Sequence, residues 1–436
     1  MASDVLHLKD SIYFEVPRAL WRSNKTSITD FPNWWVRLDP DFQSQEADRL
    51  IAELKGLGAA DPQILDGLKE QWLHWQHDNH ANFGRPLDMF LEMQAAQLDR
   101  DAARWRRASK DTKQLEGDEL VRTYISSQKP TFGWFRTFQD TRPADWLTAK
   151  RNADNLESYR QTAQWSPEKI EAYNRALDGK VMIPQPFGEP RNAYERESGF
   201  LLTKYFLLQL LVAALLIWFF SRLAQRVRSG DVPRGKGWNL LEGALQFVRE
   251  RIAVPAIGEH DADRFVPLLW TMFLFILGCN LLGMIPWLGA PTSALDLTFV
   301  LAAIVFGVGV VCGVRAFGPL GYLKNQVPHM DLPWYFSIIL VPLIWAIEMF
   351  GLLIKHLVLA VRLLANMLAG HLVMLGLLGI AFAADRIIDR WWFASAGISI
   401  GAVTLFSVLE LFVAFLQAYV FTFLAALFIG SAIHHH

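Results

Sequence analysis

Residues 348–371 read EMFGLLIKHLVLAVRLLANMLAGH, an apolar stretch with a few isolated polar residues. Arg362 is the most demanding of these, because no Asp, Glu, Lys or other Arg occurs in the six positions before it or the eight after it. Arginine keeps its proton in proteins, and a charge at the depth of a bilayer costs at least ~2.5–3.5 kcal/mol. Such a residue indicates a functional site whose first requirement is a partner for the charge.

The other polar residues of this stretch follow a helical spacing from Arg362. Glu348, Lys355 and Arg362 are seven positions apart and fall on nearly one helix face. Asn366, one turn further on, stays close to that face. His371 lies about half a turn round and, at about 1.5 Å per residue, roughly 13 Å further along the helix axis.

A second apolar stretch near the C-terminus carries only two strongly polar residues, Glu410 and Gln417. They share a helix face that is roughly 10 Å long. If the two helices are antiparallel and Gln417 is level with Arg362, Glu410 falls at about the depth of His371. The match of two sparse polar sets predicts a carboxylate–imidazole pair on one side of the arginine and Glu348 on the other.

The average composition hides two different halves. The chain has 436 residues, a formal net charge of −1 and 52% hydrophobic residues. Residues 1–197 are charged and rich in Trp, whereas residues 198–436 contain several apolar runs of about 20 residues, each sufficient for a spanning helix. The near-zero net charge argues against a nucleic-acid partner. Cys279 and Cys312 lie in apolar runs, which favours buried free thiols, and no metal or cofactor is expected.

Periodicity and capping residues predict the individual elements. In the first half, helices are predicted over 44–57, 61–76, 86–109, 117–126 and 166–177. In the second half, spans are predicted over 200–220, 265–286, 297–314, 334–384 and 391–432, with a surface amphipathic helix over 238–257. The last two stretches are longer than the ~30 Å hydrocarbon layer, so they must break, as Pro342 permits, or tilt strongly. Arg315 and Lys324 are predicted to lie in a cytoplasmic loop.

Several motifs of the second half resemble, in the right order, subunit a of the F-type ATP synthase, the proton-channel subunit of its membrane sector. These motifs are DADRFVPLL, NLLGMIPWLGAPTSALDLT, GPLGYLKN, VRLLANMLAGHL and ELFVAFLQAYVF. The resemblance covers about residues 200–433. It implies an all-α polytopic membrane protein with about five membrane helices, of which the last two form a long tilted hairpin, plus a surface amphipathic helix.

The resemblance also implies the function and the partners. The chain would not be an enzyme by itself; it would form two half-channels against a ring of c subunits and couple proton flow to ring rotation and ATP synthesis. Its partners would be the c-ring, a b-type stator subunit, the remainder of the complex and membrane lipid. Arg362 matches the family's essential arginine, a fixed charge at the c-ring interface that makes a passing ring carboxylate release its proton.

Five further residues match polar positions of the family. His371 and Glu410 match the two positions that line the outside half-channel, although many members carry Glu at the first and His at the second. Asn366 and Gln417 match polar positions near the arginine. Glu348 matches a carboxylate on the cytoplasmic side, which would take up the released proton.

Three domains follow from the resemblance and the charge pattern. Residues 1–17 form an outside segment, residues 18–197 a soluble, mostly helical, Trp-rich insert, and residues 198–436 the membrane proton-channel domain. The loop 221–237, rich in Arg and Lys, should be cytoplasmic by the positive-inside rule. The N-terminus and the insert would then be periplasmic, in a bacterial inner membrane, and the C-terminus cytoplasmic. Docking or assembly on other subunits is the role suggested for the insert.

Each residue assignment has a structural alternative. Arg362 could form a salt bridge with Glu410 or Glu348 inside its own chain, and His371 with Glu410 could be a purely structural pair. Glu348 could be a membrane-edge residue that only meets water. Lys355 and His356 are expected to face water or headgroups.

Two alternatives concern larger parts of the chain. The following residues match the family's upstream motif and fit helix capping as well as channel lining: Asn280, Thr292, Ser293, Asp296 and Thr298. For the whole chain, the alternatives are a secondary transporter or redox-pump subunit, and a non-conducting scaffold that presents the insert. A transporter would usually show a second membrane half as an internal repeat, and none is visible in the sequence.

Overall fold

A computed structural model of the chain describes residues 10–108, 114–192, 194, 199–228, 236–285, 288–325, 334–385 and 392–433. Within these residues the fold is helical apart from one small two-stranded sheet. It divides into two compact units. The insert unit comprises Arg18–Gly179 and Pro184–Leu201, and the membrane unit comprises the chain up to Pro17, Lys180–Ile183 and the chain from Leu202 onward.

The insert unit is built from short and medium helices. In the described residues they are α1 Asn33–Val36, α2 Pro40–Gly56, α3 Pro62–Asp66, α4 Leu68–Asp78, α5 Leu87–Ala108, α6 Gly117–Gln128, α7 Gly133–Thr141, α8 Pro143–Ala153, α9 Leu156–Thr162 and α10 Pro167–Leu177. The helices predicted over 44–57, 86–109, 117–126 and 166–177 are confirmed. The helix predicted over 61–76 is divided, because Gly67 ends α3 before α4 begins.

Capping residues fix where these helices begin. Asp39 accepts a hydrogen bond from the backbone of Asp41 at the start of α2, and Pro40 occupies the first helical position. Ser166 and Pro167 start α10 in the same way. A side-chain acceptor satisfies a backbone N–H that has no partner within the helix, and proline has no N–H to satisfy at that position. These two starts are therefore encoded locally.

The core of the insert unit is aromatic and aliphatic. Leu54, Leu91 and Phe135 have no exposed surface, and Trp72 is also fully buried. The ring of Phe135 packs edge-on against Trp146 at a centroid distance of 4.9 Å. Helices α7 and α8, which the sequence pattern does not predict, contribute Phe135 and Trp146 to this core.

A buried ionic cluster lies beside that core. The guanidinium of Arg191 donates to Glu46, at 2.8 Å, and to Asp88. The ammonium of Lys150 lies 2.8 Å from the Asp88 carboxylate. Burial raises the pKa of Glu46 to about 7, even though the positive charge of Arg191 opposes that rise. The arginine is therefore needed to keep two carboxylates in an apolar environment.

The membrane unit contains the long helices. Its described elements are strands β1 Tyr13–Glu15 and β2 Lys180–Met182, which pair antiparallel, helices α11 Lys204–Arg228, α12 Lys236–Val248, α13 Val254–Ile257, α14 Ala262–Gly283, α15 Leu295–Asn325, α16 Trp334–Asp385 and α17 Trp392–Ile433, a π-helical turn Arg249–Ala253 and a 3₁₀ turn Pro291–Ser293. Five of these helices are long and apolar enough to cross a membrane. The five predicted spans are confirmed. The predicted surface helix is α12 and α13, joined by the π turn.

One predicted loop is wrong. Arg315 and Lys324 both lie within α15, which extends to Asn325. The helix bends sharply at Gly318, whose φ of 73° is accessible to glycine but strained for most other residues. After the bend, Tyr322 packs so closely against Gly313 that a Cβ there would lie 2.4 Å from its ring. The segment folds back as helix, which its charge pattern alone cannot reveal.

Helices α16 and α17 have 52 and 42 residues. At about 1.5 Å per residue they measure roughly 78 and 63 Å, more than twice the ~30 Å hydrocarbon layer. Pro342 lies inside α16 without ending it, so the break permitted at this proline does not occur. Continuous helices of this length must tilt or extend beyond the hydrocarbon. The sequence predicts an outside turn over 385–390; Asp385 is the last residue of α16, and 386–391 and 434–436 lie outside the described residues.

Replacing Arg191 with Met should destabilise the insert unit by about 3–5 kcal/mol, because Glu46 and Asp88 would remain buried without the guanidinium. Protease resistance of the intact protein on heating measures this loss. Arg175→Met is the matched control, since Arg175 pairs with Glu171 and both are well exposed. It should change stability by less than about 1 kcal/mol. Equal losses for the two variants would contradict the role given to the buried cluster.

Candidate functional site

Two side-chain contacts show how α16 and α17 are aligned with each other. Nδ1 of His371 lies 3.3 Å from Oε1 of Glu410. Three residues further along α16, the sulfur of Met374 accepts a hydrogen bond at 3.7 Å from the hydroxyl of Ser407, which is three residues earlier in α17. The two helices therefore run antiparallel. The same register puts Gln417 within about 3 Å of the level of Arg362, close to the predicted alignment.

The His371–Glu410 pair is enclosed by protein. The two side chains are only 6% and 4% exposed. Besides Glu410, Nδ1 of His371 faces the carbonyl of Met367 at 2.9 Å, and Nε2 faces the carbonyl of Gly283 at 3.0 Å. A neutral imidazole donates through one nitrogen only, whereas the imidazolium can donate through both. The surroundings are thus arranged to accept a ring that carries two protons beside a carboxylate.

Two glycines make the enclosure possible. A Cβ on Gly370 would lie 2.7 Å from Oε1 of Glu410, so the carboxylate can approach α16 only because this side chain is absent. A Cβ on Gly283 would lie 2.4 Å from the Cβ of Ala290, so the chain after α14 also packs at close range. The Gly283 carbonyl that faces the imidazole belongs to this closely packed segment.

Arg362 lies half-buried in the middle of α16. Within the described part of the chain it makes no salt bridge or side-chain hydrogen bond, so the alternative of a salt bridge with Glu410 or Glu348 is not observed. Next to it, Val358, Val361 and Leu368 form an exposed apolar face. Asn366 is half-buried and Gln417 is buried, and neither side chain contacts the guanidinium through a hydrogen bond in the described residues.

On the side of Arg362 away from His371, α16 borders a cavity of about 440 Å³. Its polar lining comes from α15, α16 and α17: Tyr322, Glu348, Lys355, His356 and Ser431. Lys355 is exposed. His356, which the sequence predicts to face water or headgroups, is only 6% exposed; it packs against Phe306 of α15 and Phe428 of α17 and borders the cavity. The His356 side chain is buried where α15, α16 and α17 pack together, so the sequence of α16 alone does not reveal its burial.

The residues of the upstream motif act in packing and capping. Asn280 donates to the carbonyl of Ala414 at 3.1 Å and accepts from Thr292 at 2.7 Å. Both side chains are fully buried, so they tie the end of α14 to α17 one turn from Glu410. Ser293 and Thr298 donate to backbone carbonyls nearby. Asp296 is exposed in the first turn of α15, where a negative charge is favourable.

These features define a class of protein. Five apolar helices mark an integral, multi-pass membrane protein. A half-buried arginine, an enclosed imidazole–carboxylate pair and a carboxylate-lined cavity are placed along two of these helices. Ionisable groups at such depth are typical of proteins that move ions across membranes.

Comparison with known proteins identifies the family. The family model of the ATP synthase A chain matches residues 206–430. ATP synthase subunit a of Myxococcus xanthus is 42% identical over 230 residues, which are 52% of this chain and 70% of that protein. The corresponding protein of Anaeromyxobacter sp. is 38% identical over 271 residues, covering 62% of this chain and 61% of the relative. That of Chloroherpeton thalassium is 36% identical over 275 residues, covering 62% and 78%.

The chain therefore belongs to the ATP synthase subunit a family, the ion-translocating components of the membrane sector of the ATP synthase. Subunits of this family belong to the F1F0 complex and are not catalytic by themselves. The family match begins at residue 206, after the insert unit.

Replacing Gly370 with Ala should lower ATP-driven proton transport by roughly ten- to a hundredfold, because the new Cβ displaces the Glu410 carboxylate from His371. The measurement is proton uptake by vesicles that contain the purified complex. Gly376→Ala is the matched control on the same helix, since a Cβ there meets nothing within 4 Å. Unchanged transport in the Gly370 variant would show that the position of the pair does not matter.

Proposed function

We propose that the chain forms two proton half-channels against a ring of c subunits and couples proton flow to ring rotation and ATP synthesis. The observation that carries this proposal is Arg362, a permanent charge at the centre of an apolar helix without a counter-ion among the described residues. A charge in this position needs a negative partner, which the proposal takes from the carboxylate of a ring subunit.

The acid–base chemistry of the ring carboxylate explains how proton transfer would be coupled to rotation of the ring. A carboxylate that faces lipid must be protonated, because an ionised one there is costly. Opposite Arg362 the ionised form is stabilised, so the acid releases its proton at this point and takes one up after it has passed. The exposed face formed by Val358, Val361 and Leu368 fits an apolar ring surface beside the arginine. Lysine could itself lose a proton, which explains why arginine is used.

The two proton paths lie on opposite sides of Arg362 along α16. His371 with Glu410 is roughly 13 Å away in one direction, and Glu348 is roughly 21 Å away in the other. An imidazole and a carboxylate in contact can pass a proton between them, and the cavity at Glu348 offers access to water. Asn366 and Gln417 would orient the guanidinium or its waters. The guanidinium between the paths repels protons and prevents a direct leak.

The orientation follows from the charge pattern. The Arg- and Lys-rich stretch 221–237, whose first residues form the end of α11 instead of the predicted loop, favours a cytoplasmic position, which would make the N-terminus and the insert unit periplasmic and the C-terminus cytoplasmic. The relatives are bacterial, which supports a bacterial inner membrane. The division into 1–17, 18–197 and 198–436 is proposed on this basis.

The remaining partners are proposed in the same way. We propose a b-type stator subunit and the other subunits of the complex as neighbours, with the insert unit docking on one of them. Family membership favours ion translocation over a secondary transporter or a non-conducting scaffold.

Replacing Arg362 with Ala should abolish ATP-driven proton pumping while the complex still assembles, because no ring carboxylate would then be forced to ionise. Pumping is measured with the purified complex in vesicles, and assembly by co-purification of the ring. Arg251→Ala is the control, since Arg251 is an exposed arginine of the surface segment. Normal pumping by the Arg362 variant would overturn the proposed function.

A further inference from the structure

We propose that His356 transfers protons in the path that opens at Glu348, an inference that rests on the proposed function. Three observations carry it: a ring nitrogen of a buried histidine that has no hydrogen-bond partner among the described residues, the polar cavity that the histidine borders, and its position between Glu348 and Arg362.

The hydrogen bonding of His356 leaves one nitrogen ready to accept a proton. Nδ1 lies 2.8 Å from the carbonyl of Leu352, to which it donates when the ring is neutral. Nε2 then carries the lone pair. Nε2 is buried and has no hydrogen-bond partner among the described residues. A buried polar atom without a partner is unfavourable, so a water or hydronium ion from the cavity is its natural partner.

The aromatic neighbours hold the ring in place. The imidazole lies edge-on to Phe306 at a centroid distance of 5.2 Å, and its centroid is 4.7 Å from that of Phe428. These contacts come from α15 and α17, so two different helices fix the orientation of the α16 side chain. Together with the hydrogen bond from Nδ1 to the Leu352 carbonyl, these contacts fix the position of Nε2.

The cavity can hold a chain of water. Its volume is about 440 Å³, whereas one water takes up about 30 Å³ of liquid. The titratable groups that line it are Glu348 and Lys355 from α16 and Tyr322 from α15, and α17 contributes the neutral hydroxyl of Ser431. The ammonium of Lys355 repels an imidazolium nearby, so a proton on His356 is passed on rather than retained.

The position of His356 along α16 shortens the distance that a proton must cross between Glu348 and Arg362. Glu348 and Arg362 are separated by roughly 21 Å along α16, but a direct proton transfer needs groups within about 3 Å or one intervening water. His356 lies roughly 12 Å from Glu348 and 9 Å from Arg362 along the axis. A titratable group at this point divides one long transfer into two shorter ones through water.

The step moves one proton and nothing else. A hydronium ion formed near Arg362 gives its proton to Nε2 of neutral His356, which leaves water and an imidazolium. The imidazolium returns the proton to cavity water as hydronium, and the ionised carboxylate of Glu348 takes it up. In ATP-driven pumping the same transfers run in reverse.

The test uses the whole complex in vesicles with its ATP-hydrolysing part outside, so that the external pH sets the pH at the Glu348 cavity. ATP-driven proton uptake is measured against external pH at constant internal pH. His356→Gln keeps a polar side chain but cannot carry a proton in this range. Phe306→Leu is the control, because it alters the packing around the same ring and leaves the histidine.

The expected result for H356Q is assembly of the complex, an uptake rate at least about tenfold lower, and loss of the dependence on external pH. F306L should keep the wild-type pH profile. A wild-type rate and profile in H356Q would overturn the inference, as would an equal change of the profile in F306L.

Two further measurements keep the outcome decisive. If H356Q does not assemble, the wild-type complex alone decides, since its uptake must change with external pH across the range in which histidine side chains titrate. No response there would overturn the inference. R362A in the same vesicles separates the two proposals: normal pumping by R362A rejects the proposed function, whereas an inactive R362A with an unaffected H356Q rejects only the role of His356.

Discussion

A guanidinium that has no neutral form, placed in the low-dielectric centre of a membrane helix, is the constraint on which this structure depends. Its own chain offers Arg362 no ion pair among the described residues. It lies beside an exposed apolar face instead of inside a closed polar network. Moving a charge out of water costs free energy, and an opposite charge with well-placed hydrogen bonds is needed to offset that cost. The proposed function takes the compensating negative charge from the carboxylate of a ring subunit.

The residues around this charge are held by close helix contact. Gly370 lets Glu410 reach α16, and Gly283 brings a backbone carbonyl to the second nitrogen of His371. The two groups approach to 3.3 Å, close enough for an imidazole and a carboxylate to share a proton.

The spans could be predicted from the length of the apolar runs. The register of α16 against α17 could be predicted because isolated polar residues are rare in apolar helices, so that His371 and Glu410 are expected to lie at the same depth. The burial of His356 could not, since Phe306 and Phe428 that cover it come from other helices. Periodicity also failed at Gly318, where a left-handed backbone folds the chain back as helix. Helices α7 and α9 are not predicted because they have only nine and seven residues, and α8 is not predicted because no side-chain cap marks its start, unlike α10 with Ser166.

The most direct test of the central claim is the surroundings of Arg362 in the assembled membrane sector, determined by cryo-electron microscopy. The account predicts a ring carboxylate within about 4 Å of the guanidinium, or joined to it by one water, in at least one rotational position of the ring. A guanidinium paired with Glu410 or Glu348 of its own chain in every position, with no ring carboxylate nearby, would contradict the account.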